Sequence, residues 1–331
     1  MDSELEKLYE LHIWPMKPGD PEAIKRFNGI KEVFSYLVNT HDYFSDILRN
    51  EEINVIDIAA GTGIAGAALA NILSGMGKKI NLVVTDLRSK DLDLVHEWLK
   101  GVNKVHVETI VCDATTLHKC LSSRKEGFHV ALLWGYSAPH FNPWSLVRLF
   151  GSVSYLVANN GVLIIEETDR VYGILYRVGY KDFLIEKETN DRLIASIHLG
   201  YDIMKGSFKR GFYIIPGFKE IAKLETTFWN IATVAAIGWV FYNKVDIVAK
   251  MTKHGIHGSG YLIMYKEPRK SIDPEAFVNF QKLLEVNNSL CSLKTIISRF
   301  HSDVISVNKS ISLICLDTYL LVLISGFLTL L

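Results

Sequence analysis

Residues 55–66, VIDIAAGTGIAG, have the spacing with the clearest chemical meaning in this chain. Gly61, Gly63 and Gly66 follow the G-x-G-x-x-G pattern of a nucleotide-binding loop. A strand before such a loop and a helix after it would direct backbone N–H groups and a helix N-terminus at the ligand. The pattern therefore predicts a loop that binds a nucleotide or a nucleoside.

Asp57, which precedes these glycines, bears on which of the two ligands the loop binds. In a dinucleotide-binding loop the preceding strand is usually apolar, and a carboxylate there would repel the pyrophosphate. A carboxylate just inside the loop instead suits a ligand with an amino group, while Gly61 and Gly63 allow the backbone to approach it closely. The loop thus favours a nucleoside without phosphate.

Two further acids follow the next two apolar runs of the chain. Asp86 closes LVVTD, where a carboxylate can accept hydrogen bonds from both hydroxyls of a ribose, and Asp113 closes IVCDA, where an acceptor can meet an adenine amino group. Ligands of parallel α/β sheets bind at the carboxyl ends of the strands, so the acids are predicted to lie at one site. The alternative is that Asp86 and Asp113 are ordinary strand-end caps.

Five short apolar runs, separated by helix-sized gaps, are predicted to form the strands that position these acids: INVIDI, INLVVTD, VETIVCD, HVALLWG and GVLIIEE. Right-handed crossovers make this an α/β, doubly wound fold. Two later runs, at 244–251 and 260–267, are joined by a turn rich in glycine and histidine, which predicts an antiparallel hairpin. We therefore expect a mostly parallel seven-stranded sheet with a C-terminal antiparallel hairpin.

The pattern divides the chain into three predicted parts. Residues 1–50 form an N-terminal helical cap, residues 51–268 form the ligand-binding domain, and residues 269–331 form a helical C-terminal extension with an apolar tail. Within the second part, residues 171–228 are an insertion rich in aromatic side chains. This insertion is predicted to be a lid over the site, and the alternative is that its rings only form a small core of their own.

Taken together, VIDIAAGTG, TDL after the second strand, CDA after the third and the late hairpin resemble the class I, Rossmann-like S-adenosylmethionine-dependent methyltransferases over residues 50–267. The resemblance implies S-adenosyl-L-methionine as the cofactor and methyl transfer by in-line displacement. Such a transfer depends mainly on holding the acceptor and the methyl group in near-attack geometry. The chain departs from the family at Ala59, where the family usually has the first glycine of its loop.

The resemblance also implies roles for individual residues. It implies that Asp57 orients the loop and the methionine amino group, that Asp86 holds the ribose, and that Asp113 with Ala114 contacts the adenine. The predicted cofactor-binding set is Asp57, Ala59, Gly61, Gly63, Asp86, Leu87, Asp113, Ala114 and Trp134.

The acceptor is less closely defined. The fourth strand ends in LLWGYSAPHFNPW, without the Asn/Asp-Pro-Pro-aromatic motif by which relatives hold an amide or base nitrogen, and this disfavours DNA adenine and glutamine as acceptors. His140 and Glu167 fall near the predicted methyl position and are the predicted catalytic residues, either as general base. The alternative for His140 is that it caps a helix or packs. Trp14, Tyr136 and Phe141 are predicted wall residues.

Composition limits the partners. The 36 basic and 36 acidic side chains cancel, and the insertion has no strong electrostatic bias, so a nucleic-acid partner is not indicated. A small, apolar or amphipathic acceptor fits better. The polar residues that could converge on it are His198, Arg210, His254 and His257, and their spacing does not predict a metal site.

Cys112, Cys120, Cys291 and Cys315 are widely spaced, which predicts reduced thiols and a cytoplasmic location. The charged N-terminal sequence does not resemble a secretory signal. Residues 311–331 carry one charge, and the last 14 residues carry none. Because a membrane span needs about 20 apolar residues, this tail could be a buried helix, a homo-oligomer contact or a membrane contact.

Three functions stay open from the sequence. The first is a methyltransferase for a small molecule. The second is an NAD(P)-dependent oxidoreductase, which rests on the G-x-G-x-x-G spacing alone. The third is a non-catalytic cofactor-binding or scaffold protein, which the fold by itself does not separate from the first, because one fold hosts many functions.

Overall fold

The computed structural model describes residues 2–11, 17–249 and 260–277. Trp14, His254, His257 and the apolar tail at 311–331 lie outside the described residues, so the predictions made for them stay predictions. Within the described ranges, no helix combines the length and the apolar character needed to cross a bilayer.

Two helices precede the sheet, α1 (Asp2–Glu10) and α2 (Pro21–Thr40). Asp20 caps α2 by accepting a hydrogen bond from the backbone N–H of Glu22, and Pro21 occupies the first helical position, where no intrahelical donor is needed. Apolar residues recur at helical spacing along α2 and are buried. They are Ala23, Ile30, Val33, Phe34, Leu37 and Val38.

Five strands then alternate with helical segments. The strands are β1 (Glu52–Ile58), β2 (Lys79–Asp86), β3 (Val105–Val111), β4 (Phe128–Leu133) and β5 (Val157–Thr168). The α-helices between them are α3 (Ile64–Gly75), α4 (Ser89–Leu92), α5 (Val95–Trp98), α6 (Leu117–Cys120) and α7 (Pro143–Leu156). All contacts among these five strands are parallel, as the buried apolar runs predict.

The insertion after β5 begins with a π-helix, Val171–Val178, and continues as a four-stranded antiparallel sheet. Its strands are β6 (Phe183–Glu188), β7 (Leu193–Asp202), β8 (Ser207–Ile215) and β9 (Lys219–Thr226), paired in that order. We call this the lid sheet after the role predicted for the insertion, and that role stays a prediction. One of its faces packs on α1, where Leu8 is fully buried against Phe212, Ala222 and Leu224.

After the lid sheet come α8 (Ile231–Phe241), β10 (Tyr242–Ala249) and β11 (Gly260–Pro268). The large sheet has the order β10-β11-β5-β4-β1-β2-β3, and β11 is antiparallel to both of its neighbours. The predicted seven-stranded, mostly parallel sheet with a late antiparallel hairpin is confirmed. Since β3 is at one edge and β10 at the other, β1 and β4 lie in the middle, where the chain reverses its winding direction.

Two apolar layers cover the large sheet. Residues of α2 and α3 form the core on one face, and residues of α7 and α8 form the core on the other. Phe150 of α7 is fully buried and lies between Phe241 and Tyr265, with ring centroids 6.0 Å and 5.1 Å away. These layers hold the strand ends, and hence the loops that follow them, in fixed positions.

The prediction of reduced thiols is wrong for two of the four cysteines. Cys112 and Cys120 form a disulfide, with their Cα atoms 6.5 Å apart. After β3 the chain passes through a 3-10 turn, Ala114–Thr116, into α6, and this brings the two cysteines together although their spacing matches no C-x-x-C pattern. Cys291 and Cys315 lie outside the described residues.

Candidate functional site

A cavity of about 420 Å³ lies at the carboxyl ends of the central strands. The loops after β1, β2, β3 and β4 form its floor and sides, the first turns of α7 close one end, and α1 and β9 cover it. The lining residues are Tyr9, Ala59, Asp86, Leu87, Arg88, Cys112, Asp113, Ala114, Thr115, Gly135, Ser137, His140, Phe141, Ser145, Arg148, Leu224 and Glu225.

Seven of the residues that the sequence singles out line this cavity. On its wall lie Ala59, Asp86, Leu87, Asp113, Ala114, His140 and Phe141. Asp57, Gly61 and Gly63 lie in or under the glycine loop, and Trp134, Tyr136 and Glu167 are not on the wall. A second cavity, of about 450 Å³, lies at the opposite ends of the strands around Asn54, Asn81 and His106, and no predicted site residue lines it.

Two carboxylates bind the backbone of the glycine loop. Asp57 is 1% exposed, and its Oδ2 accepts a hydrogen bond from the N–H of Gly66 at 2.7 Å. Oδ2 of Asp86 accepts one from the N–H of Gly61, also at 2.7 Å. Burial raises the pKa of Asp57 to about 7, and the second oxygen, Oδ1, has no hydrogen-bond partner among the described residues. The acids thus hold the loop in place.

Backbone conformation and close packing require glycine at two positions of the loop. Gly63 has a φ of +71°, and a Cβ on it would lie 2.8 Å from Cγ2 of Val95. A Cβ on Gly66 would lie 2.9 Å from Oδ2 of Asp57. Ala59 stands where class I methyltransferases usually have a glycine, and it adopts a left-handed φ of +50°. An L-residue adopts this conformation at a cost of roughly 1–2 kcal/mol, so the loop is strained at the cavity wall.

An ion pair covers the Asp86 side of the cavity. Oδ1 of Asp86 accepts hydrogen bonds from the backbone N–H of Arg88 at 2.9 Å and from its Nε at 3.1 Å. Arg88 also pairs with Asp91 at 2.7 Å, and its guanidinium lies 3.9 Å from the ring centre of Tyr9 in α1. Sequence reasoning missed Arg88 and Tyr9, because no spacing pattern connects a residue of α1 with the end of β2.

Asp113 caps the turn that follows β3, as the alternative to a binding role predicts, and its role toward adenine stays a prediction. It is the N-cap of a 3-10 turn, Ala114–Thr116, and its Oδ1 accepts hydrogen bonds from the N–H and the Oγ1 of Thr115, each at 2.8 Å. Asp113 and Ala114 also line the cavity. The turn therefore forms one fixed wall of the site.

The loop after β4 borders the other end of the cavity. Gly135 and Tyr136 both have positive φ, +89° and +59°. Oε2 of Glu166 accepts a hydrogen bond from the N–H of Gly135 at 3.0 Å and lies 4.0 Å from Arg26 of α2. Burial, and then the charge of Glu166, raise the pKa of Tyr136 to about 12, so its hydroxyl stays protonated at neutral pH. Glu166 thereby connects this loop to the helical cap.

The two predicted catalytic residues lie in different surroundings. His140 is on the cavity wall and is an exposed residue. Withdrawal from bulk water by the surrounding protein, and then the guanidinium groups of Arg170 and Arg88, lower its pKa to about 4. His140 is therefore neutral at pH 7 and has a lone pair available.

Glu167 is fully buried behind that wall. Its Oε1 accepts hydrogen bonds from the N–H of Thr168 at 2.9 Å and from Nε of Arg170 at 3.2 Å, while its Oε2 has no partner among the described residues. Burial raises its pKa to about 7. Arg170 separates it from the loop after β4, since Nη2 of Arg170 donates to the carbonyl of Tyr136 at 3.5 Å.

Trp134 and Arg210 are in structural rather than cavity positions. Trp134 is buried in the core under α2, with its ring 4.7 Å from that of Phe34.

Arg210, in β8, donates to Ser196, Tyr180 and three backbone carbonyls within 3.5 Å. These acceptors use all of its N–H groups. The hydroxyl of Tyr180 then bonds Nδ1 of His198 at 2.7 Å, so this network holds the lid sheet together.

Metal-ligating side chains do not cluster in the part of the chain that the structure describes: no group of three or more His, Cys, Asp or Glu residues there could hold an ion. The absence of a metal site stays a prediction for the chain as a whole.

Comparison with sequence models of protein families finds no match, and comparison with curated protein sequences finds none either. Solved structures are similar in fold. The CcbJ methyltransferase of Streptomyces caelestis is 12% identical and superposes with a TM-score of 0.53, covering 81% of this chain and 97% of its own. The PH0226 protein of Pyrococcus horikoshii OT3 is 18% identical, with a TM-score of 0.52, covering 79% of this chain and 99% of its own. The chain has the class I, Rossmann-like methyltransferase fold.

Proposed function

We propose that the protein is an S-adenosyl-L-methionine-dependent methyltransferase that acts on a small, apolar or amphipathic acceptor. The observation that carries this proposal is that two N–H groups of the glycine loop already donate hydrogen bonds within the protein. Those of Gly61 and Gly66 donate to the carboxylates of Asp86 and Asp57, so they are not presented to a phosphate. A pyrophosphate would also meet the carboxylate of Asp86 on the cavity wall.

The lining residues fit the nucleoside part of the cofactor. A ribose presents hydroxyl donors, which the carboxylate of Asp86 can accept, and an adenine amino group can meet Asp113 beside Ala114. Nε of Arg88 donates a hydrogen bond to Asp86 in this structure. A ribose hydroxyl would either replace that hydrogen bond or add a second one to the same carboxylate. The left-handed loop at Ala59 brings backbone close to the cavity. When bound, S-adenosyl-L-methionine supplies an electrophilic sulfonium methyl group.

The remaining walls support a small acceptor. Phe141 and Leu224 are apolar, while Ser145 and Arg148 supply polar groups near the start of α7. Because α1 and β9 cover the cavity, they can exclude water from the reacting atoms. His140 is neutral and can accept a proton at the wall; as an acceptor with a pKa of about 4 it is a weak base.

Glu167 is better matched in basicity, with a pKa near the working pH. Its unpartnered Oε2 is buried, so it can take a proton from the acceptor only if Arg170 or the loop at Tyr136 moves aside. An acceptor that loses no proton needs neither residue as a base. His140 and Glu167 therefore stay the proposed catalytic residues, with His140 as the one in contact with the cavity.

The proposal is tested by calorimetric titration of the full chain with S-adenosylmethionine, S-adenosylhomocysteine and NADH. We expect micromolar binding of the two sulfur nucleosides. Asp86→Ala should weaken it by about tenfold to a hundredfold, the range expected for losing a hydrogen bond to a charged group. Asp91→Ala is the matched control, because it removes the other carboxylate on Arg88 but not the one on the cavity wall.

Binding of NADH alone would contradict the proposal and favour the oxidoreductase. Binding of the sulfur nucleosides with no methyl transfer from labelled S-adenosylmethionine to any acceptor in a broad panel would favour the non-catalytic alternative. Transfer that is lost in Asp86→Ala and retained in Asp91→Ala would establish the enzyme.

A further inference from the structure

The Cys112–Cys120 disulfide closes a loop that contains one wall of the cavity. Cys112 directly follows β3 and lines the cavity, and Cys120 is the last residue of α6. Between them lies the turn at Ala114–Thr116 with its cap, Asp113. The bond thus joins the two ends of the segment that we assign to the adenine.

The two ends of this loop are anchored differently. The backbone N–H of Cys112 donates to the carbonyl of Asp86 at 3.1 Å, which attaches the wall to the end of β2. At the other end Leu117 is fully buried, and the N–H of His118 donates to Oγ of Ser152 in α7 at 2.8 Å. If the disulfide opens, the turn keeps the Asp113 cap, the hydrogen bond from the N–H of Thr116 to the carbonyl of Asp113 at 2.9 Å, and its packing.

The two cysteines also differ in exposure. Cys112 is 6% exposed, against the cavity, whereas Cys120 lies on the surface. A thiol arriving from solvent therefore meets Cys120 first. We propose that Cys120 is a thiol-exchange site and that opening of its disulfide with Cys112 loosens the adenine wall and lowers the affinity for the cofactor; the second half of this inference rests on the proposed function.

The exchange with a dithiol balances in two steps. One thiolate of the dithiol attacks Sγ of Cys120, a mixed disulfide forms, and the bond to Cys112 breaks. Its electron pair stays on Sγ of Cys112, which then takes up a proton. The second thiolate of the dithiol then attacks the dithiol's other sulfur, which is the one bonded to Cys120 in the mixed disulfide. A cyclic disulfide forms within the dithiol, and Cys120 leaves as a thiolate. Two electrons pass from the dithiol to the cysteine pair.

Loosening a preformed wall lowers affinity because the ligand must then order it again. Anchors at both ends remain, so the expected effect is moderate, an increase in Kd of about three- to tenfold. The rest of the fold keeps its packing, since neither Leu117 nor the Ser152 contact depends on the disulfide.

The test uses the full chain with Cys291 and Cys315 replaced by Ser, so that only this pair can react. Trypsin cleaves after Lys104, Lys119 and Arg124, so the intact disulfide appears as peptide 105–119 joined to peptide 120–124. The oxidised protein and the protein reduced by dithiothreitol are then titrated with S-adenosylhomocysteine. Amide hydrogen exchange of residues 113–116 is measured in both states without nucleoside, and residues 117–119, which keep their anchor on α7, are the internal reference.

We expect the joined peptides only before reduction, faster exchange in 113–116 after it, and the stated rise in Kd, reversed on reoxidation. Cys120→Ser should show the weaker affinity with or without dithiothreitol. Absence of the joined peptides under oxidising conditions, unchanged exchange, or an equal Kd in both states would overturn the inference. If neither state binds the nucleoside, the proposed function fails, while the peptide map and the exchange rates still decide whether the disulfide controls the wall.

Discussion

Ala59 is a residue at which local backbone energy and the site are directly connected. Its φ of +50° costs roughly 1–2 kcal/mol for an alanine, whereas a glycine adopts this conformation without that cost. Glycine loses about 0.5–1 kcal/mol more conformational freedom on folding. We therefore expect Ala59→Gly to raise the free energy of unfolding by roughly 0.5–1 kcal/mol in urea denaturation.

The control is the same substitution at an ordinary helical position. Ala236 is exposed in α8, and Ala236→Gly should lower the free energy of unfolding by about 1 kcal/mol. An equal loss of stability in both variants would mean that the left-handed conformation at Ala59 is not the source of strain.

Glu167 makes stability depend on pH. Burial raises its pKa from 4.5 to about 7, so the folded chain keeps a proton that the unfolded chain has already lost. The group's stabilising contribution is complete below pH 4.5 and is lost as pH rises through 7. Relative to Glu167→Gln, whose amide does not titrate, the wild type should lose about 3 kcal/mol of unfolding free energy between pH 4.5 and 8.

Urea denaturation at steps of pH measures this difference. Asp57→Asn is the companion variant, because burial raises the pKa of Asp57 to about 7 as well and gives a loss of the same sign. Each variant should remove its own part of the pH dependence. Parallel curves for the wild type and Glu167→Gln would show that Glu167 titrates as it does in the unfolded chain.

At the scale of elements, α1 joins the lid sheet to the end of β2. Leu8 packs into the lid sheet, Tyr9 stacks on Arg88, and Lys90 of α4 pairs with Glu6 at 2.6 Å. An isolated helix of nine residues is not stable by itself, so its position depends on these contacts.

Leu8→Ala should release α1. Truncating a buried leucine costs about 2–5 kcal/mol, more than one short helix can offset. Amide hydrogen exchange should accelerate in residues 2–11 and in β9, with little change in β1 and β4. Lys7→Ala, at an exposed position of the same helix, should leave exchange near the wild-type rate. Equal acceleration throughout the central sheet would contradict a local role for Leu8.

At the scale of the whole molecule, the cavity is shared by four strand-end loops, α7, α1 and the lid sheet. A ligand there binds the folded chain and not the unfolded one. At a concentration of S-adenosylhomocysteine one hundred times Kd, we expect about 2.7 kcal/mol of added stability and a melting temperature higher by several degrees. Protection should increase in α1 and β9 as well as in the loops.

Thermal unfolding with and without the nucleoside measures this linkage. NADH at the same concentration should produce no shift, and Asp86→Ala should reduce the shift caused by the nucleoside. A shift of equal size in wild type and Asp86→Ala would place the nucleoside elsewhere on the protein. A cytoplasmic location, and a contact of residues 311–331 with a membrane or a second copy, stay predictions.

The strands of the large sheet and the set Ala59, Asp86 and Asp113 were predictable because they depend on local information. A buried parallel strand requires a continuous apolar run, and the residue after it lies at the ligand edge whatever the rest of the chain does. The late hairpin was predictable for the same reason, since two apolar runs that follow each other closely in sequence tend to pair antiparallel, as β10 and β11 do.

Contacts between residues far apart in sequence were decided only by the tertiary structure. Three such features depend on how helices and loops pack around the sheet: the stacking of Tyr9 on Arg88, the approach of Arg26 to Glu166, and the burial of Oε2 of Glu167. The Cys112–Cys120 bond spans few residues, yet it too depends on the fold, because the turn at Ala114–Thr116 and the anchoring of α6 on α7 must bring Cys120 back to the end of β3. Hydrophobic spacing reports which side of a strand or helix is buried, and it contains no distances between side chains of different elements.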